Sequence, residues 1–409
     1  YDNQSHNYHQ HHYQLHWNER LDDNWSTNIG LNYTRGKGYF EQFKDGENAV
    51  DYNNLITDNS DVIVRRWLDN HFYVVNGNTT YKNEKLEIIS GFSYSKYKND
   101  HYGEVIWGSD LAPNTQIRDR YYDGDATKND FSVFSKATFK LAPKFTGFVD
   151  LQGRFVSYKT NGINSDLNEF VTDADFSFFN PKLGLTYKSS EKNSYYVSYA
   201  RANREPNRDD FKAGVTDNET LNDIELGWRY TNNKVNVNTN LYYMFYQNQL
   251  VLTGELDDVG SPIRATSGES YRLGLEVDAA WEVTTSIKSK LGLALQSSEY
   301  TQGAKVADAP QKSVNWQLDW AIGNDWHLNL RNRWISDRNR EVGDNRKKVS
   351  DYSISDLTAL YTLNDKVEMS FSCKNLFDKK AFEPSGPRIS GDYPLETRGF
   401  WLSLNYTID

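Results

Sequence analysis

His6, His9, His11, His12 and His16 crowd the start of the chain, and imidazole is a common ligand for borderline metals and for haem iron. In an extended strand His12 and His16 share one face while His9 and His11 take the other, so the group cannot close on one ion. His12 and His16 are therefore the metal or haem candidates, set against a plainer reading as residues that line a wall. Arg201, Arg204, Arg208, Asp209 and Asp210 form a second cluster. Arg204 shares its parity with Ser198 and Ala202. With Arg208 it could attract an anionic chelate by charge and by forked hydrogen bonds, or pair with nearby carboxylates or anionic lipid.

Arg331 and Arg333 share a face in the same way and receive the same reading. Glu276 and Asp278 lie on one face of one segment, with Lys288 and Lys290 on the corresponding face of the next, so cross-strand ion pairs are expected there. No Gly-x-Ser-x-Gly elbow, His-Glu-x-x-His or phosphate-cradling glycine loop occurs, and the chain is not read as an enzyme. No residue set calls for a cofactor. Cys373 is the sole cysteine, which excludes an intrachain disulfide and a cysteine zinc site.

The elements that must carry these residues are strands. In the closing segment, Thr397 to Ile408, Phe400, Leu402, Leu404, Tyr406 and Ile408 alternate with Trp401, Ser403, Asn405 and Thr407. The same parity runs through Tyr8 to Leu21, through Ile224 to Tyr230 with Val235 to Phe245, and through Val314 to Ile322. Tight turns are expected at Asp22-Asp23-Asn24, Asn83-Glu84, Ala142-Pro143, Ser189 to Asn193, Asn232-Asn233, Val283 to Thr285, Asn324-Asp325 and Asn364-Asp365. Long polar loops are expected at Gly36 to Asp69, Asn99 to Thr127, Glu205 to Glu219, Arg338 to Ser350 and Asp378 to Glu396.

Aromatic residues make up 14% of the 409, yet mean hydropathy is −0.79. No apolar run is long enough for a membrane helix. A transmembrane antiparallel β-barrel reconciles these facts, because only alternate residues of each strand meet lipid and aromatic girdles mark both interfaces. Short connections alternating with long ones fit periplasmic turns and extracellular loops. The fold class is all-β, with about seventeen strands, an odd number whose first member starts on the outside; about five more would complete a 22-stranded barrel. The net charge of −10 argues against a nucleic-acid partner.

Three motifs carry a resemblance. Ser198-Tyr-Ala-Arg-Ala-Asn-Arg-Glu-Pro206, Gly274-Leu-Glu276 after Tyr271-Arg272, and Lys374-Asn-Leu-Phe-Asp378 ahead of Arg398-Gly-Phe-Trp401 are similar to the barrel of TonB-dependent outer-membrane receptors. The resemblance spans residues 1–409, taken as the C-terminal portion of such a barrel with the plug and first strands missing from this sequence. It implies a Gram-negative outer-membrane location, lipid and lipopolysaccharide neighbours, and energy from the TonB protein through a plug. It also implies active import of a scarce nutrient, a ferric siderophore or other iron chelate foremost, with haem, cobalamin or glycan as alternatives. A passive porin is the rival reading.

The long loops are the expected place of capture. They carry Tyr39, Phe40, Tyr102, Trp107, Tyr121, Tyr122 and Phe211 amid polar residues, and exposed aromatics with convergent polar groups suit recognition. Girdle packing or self-packing of the loops is the competing account of these rings.

Overall fold

The computed structural model describes residues 4–256, 262–301, 309–339, 348–384 and 392–407. The middle of the charged loop expected at Arg338 to Ser350, part of the loop expected at Asp378 to Glu396, and Ile408 with Asp409 lie outside the described residues. Eighteen strands form one antiparallel sheet. Its first half comprises β1 (His6–Arg20), β2 (Trp25–Glu47), β3 (Ser60–Lys82), β4 (Leu86–Gly108), β5 (Arg120–Ala142), β6 (Phe145–Gly162), β7 (Thr172–Phe179), β8 (Lys182–Lys188) and β9 (Asn193–Arg204). A short helix α1 (Arg208–Lys212) follows.

The rest comprises β10 (Glu219–Thr231), β11 (Val235–Gln247), β12 (Ser270–Glu282), β13 (Ile287–Tyr300), β14 (Lys312–Ile322), β15 (Trp326–Ile335), β16 (Tyr352–Asn364), β17 (Val367–Lys374) and β18 (Gly399–Tyr406). Three small hairpins stand apart from the sheet. β7 and β8 both pair with β6 and are separated only by Asn180-Pro181, where proline withholds a ladder donor. Counted as one crossing they leave seventeen among the eighteen strands, the expected number.

Side-chain oxygens close the tight turns. Asn83 Oδ1 accepts hydrogen bonds from the backbone N–H groups of Lys85 and Leu86, Asn232 Oδ1 from Lys234 and Val235, and Asn364 Oδ1 from Lys366 and Val367. Asp22 Oδ1, Ser190 Oγ and Thr284 Oγ1 do the same at their own hairpins. Each mimics a backbone turn with a short polar side chain, which is why Asn, Asp, Ser and Thr mark these positions.

The chain divides into two compact units: Tyr1–Phe139 with Phe148–Pro181 and Glu205–Thr216, and Lys140–Gly147 with Lys182–Arg204 and Asp217–Asp409. In the first, register aligns Leu15, Leu31, Val75, Tyr94 and Phe131 in one apolar row. Tyr13, Tyr33 and Tyr73 stack beside it at 5.9 and 4.9 Å. The opposite face carries Gln14, Asn32, Val74, Ser95 and Asp130. In the second unit Val197, Leu226, Leu241, Leu275 and Leu295 form the equivalent row. Further along, Leu291 meets Trp316, Leu318 meets Leu330, Leu402 meets Phe371 and Leu404 meets Met369.

Aromatic rings on the polar face seal the gaps left by glycine. Tyr196 covers Gly227 and Tyr242 covers Gly274, each directly across the ladder, and a Cβ on either glycine would lie inside the ring.

The first two long loops are shorter than expected, and this is a correction. β2 runs on to Glu47 and β3 begins at Ser60; β4 runs on to Gly108 and β5 begins at Arg120. Most of Gly36 to Asp69 and of Asn99 to Thr127 is therefore ladder. The Gly, Asn and Asp residues read as loop signals are tolerated there because cross-strand aromatic pairs such as Tyr39 with Trp67, 4.7 Å apart, and Trp67 with Tyr102, 6.0 Å, supply the pairing energy. The ladder does not set the charges expected to pair from parity opposite one another. Lys288 stands opposite Glu282 and Lys290 opposite Ala280, while Glu276 and Asp278 face Ala294 and Gly292.

Leu226 is 49% exposed and sits between Val197 and Leu241 on the apolar face. Leu226→Arg should cost roughly 2–4 kcal/mol if it meets mid-bilayer, read from urea-driven unfolding in lipid vesicles. A cost near zero there would mean that this face does not meet hydrocarbon.

Candidate functional site

The first unit holds a charged clamp on its polar face. Arg154 on β6 donates to Asp130 on β5 at 2.6 Å and to both oxygens of Glu205 at 2.8 Å, and Lys128 Nζ reaches Glu205 at 2.6 Å. Glu205, just past β9, is 9% exposed. Burial works against its charge, but the hydrogen bonds from Lys128 and Arg154 prevail and hold its pKa below the usual carboxylate value. The forked arginine geometry binds the two carboxylates as a planar unit and fixes where the following segment leaves the wall.

That segment is built locally. The Asn207 side chain accepts from the Asp210 N–H and the Asp210 carboxylate from the Asn207 N–H, each at 2.8 Å, a reciprocal cap that starts α1. Phe211 then stacks on Tyr158 at 5.3 Å and Arg208 lies over Phe170 at 5.3 Å. Lys212 pairs with Asp166 at 3.2 Å. Arg208 and Phe211 are thus brought together beside the clamp, both half-buried.

The remaining candidates do not converge there. Tyr121 and Tyr122 are each 2% exposed, and they pack with Tyr52, Ile56, Val62, Val64 and Val105 in a small core that knits the β2–β3 connection to the ends of β4 and β5. They are interior packing, not a surface open to a ligand. Tyr102 is 7% exposed, with Arg120 over its ring at 3.6 Å. Trp107 is exposed on β4. Arg204 belongs to the second unit, where it faces its ladder partner Glu219 at 3.2 Å. His12 contacts the Thr34 hydroxyl at 3.0 Å and His16 stands opposite Gly30. Among the described residues no three His, Cys, Asp or Glu side chains are grouped to hold a metal.

The second unit has its own polar recess, about 700 Å3, whose charges are Asp278, Lys290, Arg331, Arg333, Asp356 and Lys374. Arg331 stands opposite Asp356 on the ladder, and Arg333 lies over the Tyr352 ring at 5.4 Å. The four cations exceed the two carboxylates, so an anion is the complementary guest. Beside it Asn375, 2% exposed and in the left-handed region at φ 48°, gives its Nδ2 to the carbonyls of Lys379 and Glu396 at 2.9 and 3.0 Å. The Asn-Leu-Phe-Asp motif is thus a fastening for the last long connection.

Sequence reasoning missed the clamp. A signal was present: Arg154 is a lone charge in the run Leu151 to Tyr158, and a charge in such a strand needs a nearby carboxylate. Distance in sequence, 77 residues from Lys128 to Glu205, hid the partner. Glu205→Gln keeps the shape and removes the charge, and it should cost about 1.5–3 kcal/mol at pH 7 in equilibrium unfolding. Because the folded pKa is depressed, the difference from wild type should be full above the ordinary value of 4.5 and vanish as pH falls through the lower folded value. A pH-independent difference would show that charge is not what Glu205 contributes.

Residues 1–376 match the family described as TonB dependent receptor-like, beta-barrel. Among curated proteins, the chain is 22% identical to the ferric-pyoverdine 358 receptor of Pseudomonas putida, over 72% of this chain and 39% of that protein. Among solved structures it is similar to the siderophore receptor PiuA from Acinetobacter baumannii, with TM-score 0.68 and 18% identity over 98% of this chain and 64% of that one. The copper transporter OprC superposes with TM-score 0.74 and 14% identity, over 97% and 65% respectively. At these identities the solved structures establish the fold alone. The chain spans about two fifths of the length of the curated relative it matches. By the family match over most of its length, the chain belongs to the TonB-dependent receptors, as barrel sequence of that family.

Proposed function

We propose that this chain is the barrel portion of a Gram-negative outer-membrane receptor that captures a ferric siderophore or similar iron chelate at the cell surface and imports it with TonB-coupled energy. The observation that carries the reading is the kinship with proteins named for that cargo, the ferric-pyoverdine 358 receptor and the ferrienterobactin receptor of Escherichia coli. The geometry is compatible with it. The recess holding Lys290, Arg331, Arg333 and Lys374 offers forked and point-charge donors to an anionic guest. Arg208 and Phe211 follow the end of β9, and the reading gives them a part in meeting an arriving ligand, as it does Arg204 in the second unit.

The reading includes a plug and further strands outside this sequence. Among the described residues β1 pairs with β2 and β18 with β17, each along one side, and an open strand edge in hydrocarbon leaves backbone groups unsatisfied. Additional strands would supply those partners, the plug would carry the contact with TonB, and lipid with lipopolysaccharide would surround the apolar rows. A passive porin would share the wall but need neither plug nor coupling.

A strain deleted for the full-length gene should lose growth on ferric siderophores and keep growth on free iron salts, and deleting the TonB gene instead should give the same defect. Uptake that persists without TonB would replace the transporter with the porin. A defect confined to haem, restored by wild type but not by His12→Ala with His16→Ala, would move the cargo to haem; defects confined to cobalamin or glycans would likewise redirect it.

A further inference from the structure

The apolar face of β1 to β5, all within the first unit, changes character in bands. Ring pairs mark its two limits: Trp25 with Tyr81 at 4.9 Å beside the short turns, and Tyr33 with Tyr73 at 4.9 Å on the far side. Trp25 to Tyr33 inclusive is nine residues, within the roughly 9–11 that a tilted strand needs to cross a bilayer. Past the row of Leu31, Val75, Tyr94 and Phe131, the ladder sets Tyr33, Tyr73, Lys96 and Asn129 side by side, and the next row of the same face holds Arg35, His71, Lys98 and Thr127. One row further out come Lys37, Asp69, Asp100 and Asp125. Cations thus sit directly outside the girdle, and carboxylates outside the cations.

These cations are not equally engaged. Arg35 and Lys37 both pair with Asp69, Lys37 at 3.0 Å. Lys96, half-buried, and Lys98, exposed, make no ion pair with a described residue. They lie two residues apart on one strand, about 6.6 Å along it and on the same face, so two like charges stand together. Across the ladder from Lys98, His71 is stacked on Tyr73 at 6.3 Å and uses Nδ1 on the Tyr33 hydroxyl at 2.9 Å, which leaves Nε2 for a further partner. Two ammonium groups and an imidazole nitrogen on adjacent strands are complementary to one phosphate.

The bands also decide how that phosphate arrives. An anion free in solution has to approach past Asp69, Asp100 and Asp125 and is repelled by them. A phosphate carried on acyl chains comes from the other side, its chains on Leu31, Val75 and Tyr94 and its charge level with Lys96, whose own stem can lie along the rings. Above it Asp100 and Asp125 are exposed and without ion pairs among the described residues, so they accept hydrogen bonds from neutral hydroxyl groups and reject a second anion. We propose that Lys96, Lys98 and His71 bind the phosphate of a phosphorylated, acylated sugar in the outer leaflet, the anchor of lipopolysaccharide. The inference rests on the outer-membrane reading given above, and gives a named site to a lipid that there merely surrounds the wall.

The test uses the purified full-length receptor in detergent, with bis-phosphorylated lipid A as the probe and native mass spectrometry to count the lipid retained. Lys96→Gln with Lys98→Gln should weaken retention about thirtyfold, the effect of two cations at a membrane surface. Lys96→Arg with Lys98→Arg should keep it, and so should Lys136→Gln, which removes a charge from the opposite face of β5. His71→Phe, which preserves the ring stack, should weaken it severalfold. Dephosphorylated lipid A and phosphatidylglycerol should each be retained at least tenfold less, and millimolar inorganic phosphate should fail to displace the probe. Resistance of each variant to unfolding by SDS without heating reports that the wall is intact. The proposal is overturned if the double glutamine variant retains lipid A as wild type does, if either comparison lipid is retained equally, or if inorganic phosphate competes, which would make this a site for free anions. Cell fractionation separates its failure from that of the reading beneath it. A receptor recovered outside the outer membrane would sink both, whereas one recovered there without selectivity for the phosphate would sink the lipid site alone.

Discussion

Everything in this wall depends on the hydrogen-bond ladder between antiparallel strands holding its register. Side chains alternate with a period of two, so a slip of one residue would carry Leu226, Leu241 and Leu275 to the polar face and bring Glu225, Asn240 and Glu276 out in their place. In a hydrocarbon solvent that exchange is ruinous, and an unmade ladder bond has no water to replace it. The short turns are where register is set. Asn83, Asn232 and Asn364 each accept two backbone N–H groups with one oxygen, and thereby fix which residue begins the returning strand.

Once the register is fixed, the two faces do different work. The outward rows need only apolar bulk, and they are correspondingly repetitive. The inward face carries charges that need partners, and Arg154 finds its own by convergence of distant parts of the chain. Arg154 draws Asp130, a neighbour on the ladder, together with Glu205 from beyond β9. The same residue that compensates a buried charge on the wall therefore anchors the connection leading into α1. Wall chemistry and loop placement are a single arrangement here.

How far the sequence could be read follows from this division. Alternation over the closing strand, and the turn residues at Asn232 and Asn364, are local signals whose physical cause acts within a few residues, so the strand plan and its parity were legible. The extent of β2 to β5 was not, since Gly36, Asp69 and Asn99 resemble loop residues until the rings of Tyr39, Trp67 and Tyr102 are known to lie side by side. The candidate rings divide on the same ground. Phe211 and Arg208 were singled out by local signals, a ring amid polar residues and a cluster of charges; Tyr121 and Tyr122 were assigned to a surface because nothing local announces the core they share with Tyr52 and Val105. Long-range partners such as Lys128 and Glu205 leave no periodic trace.

Asn375 joins the two ends of the connection after β17, through the carbonyls of Lys379 and Glu396, as a seam joins the edges of a pocket in cloth. Lengthening a tethered loop adds only about 0.6 kcal/mol per doubling. Closed at its ends by Asn375, the connection can therefore change in length at small cost while β17 and β18 keep their register.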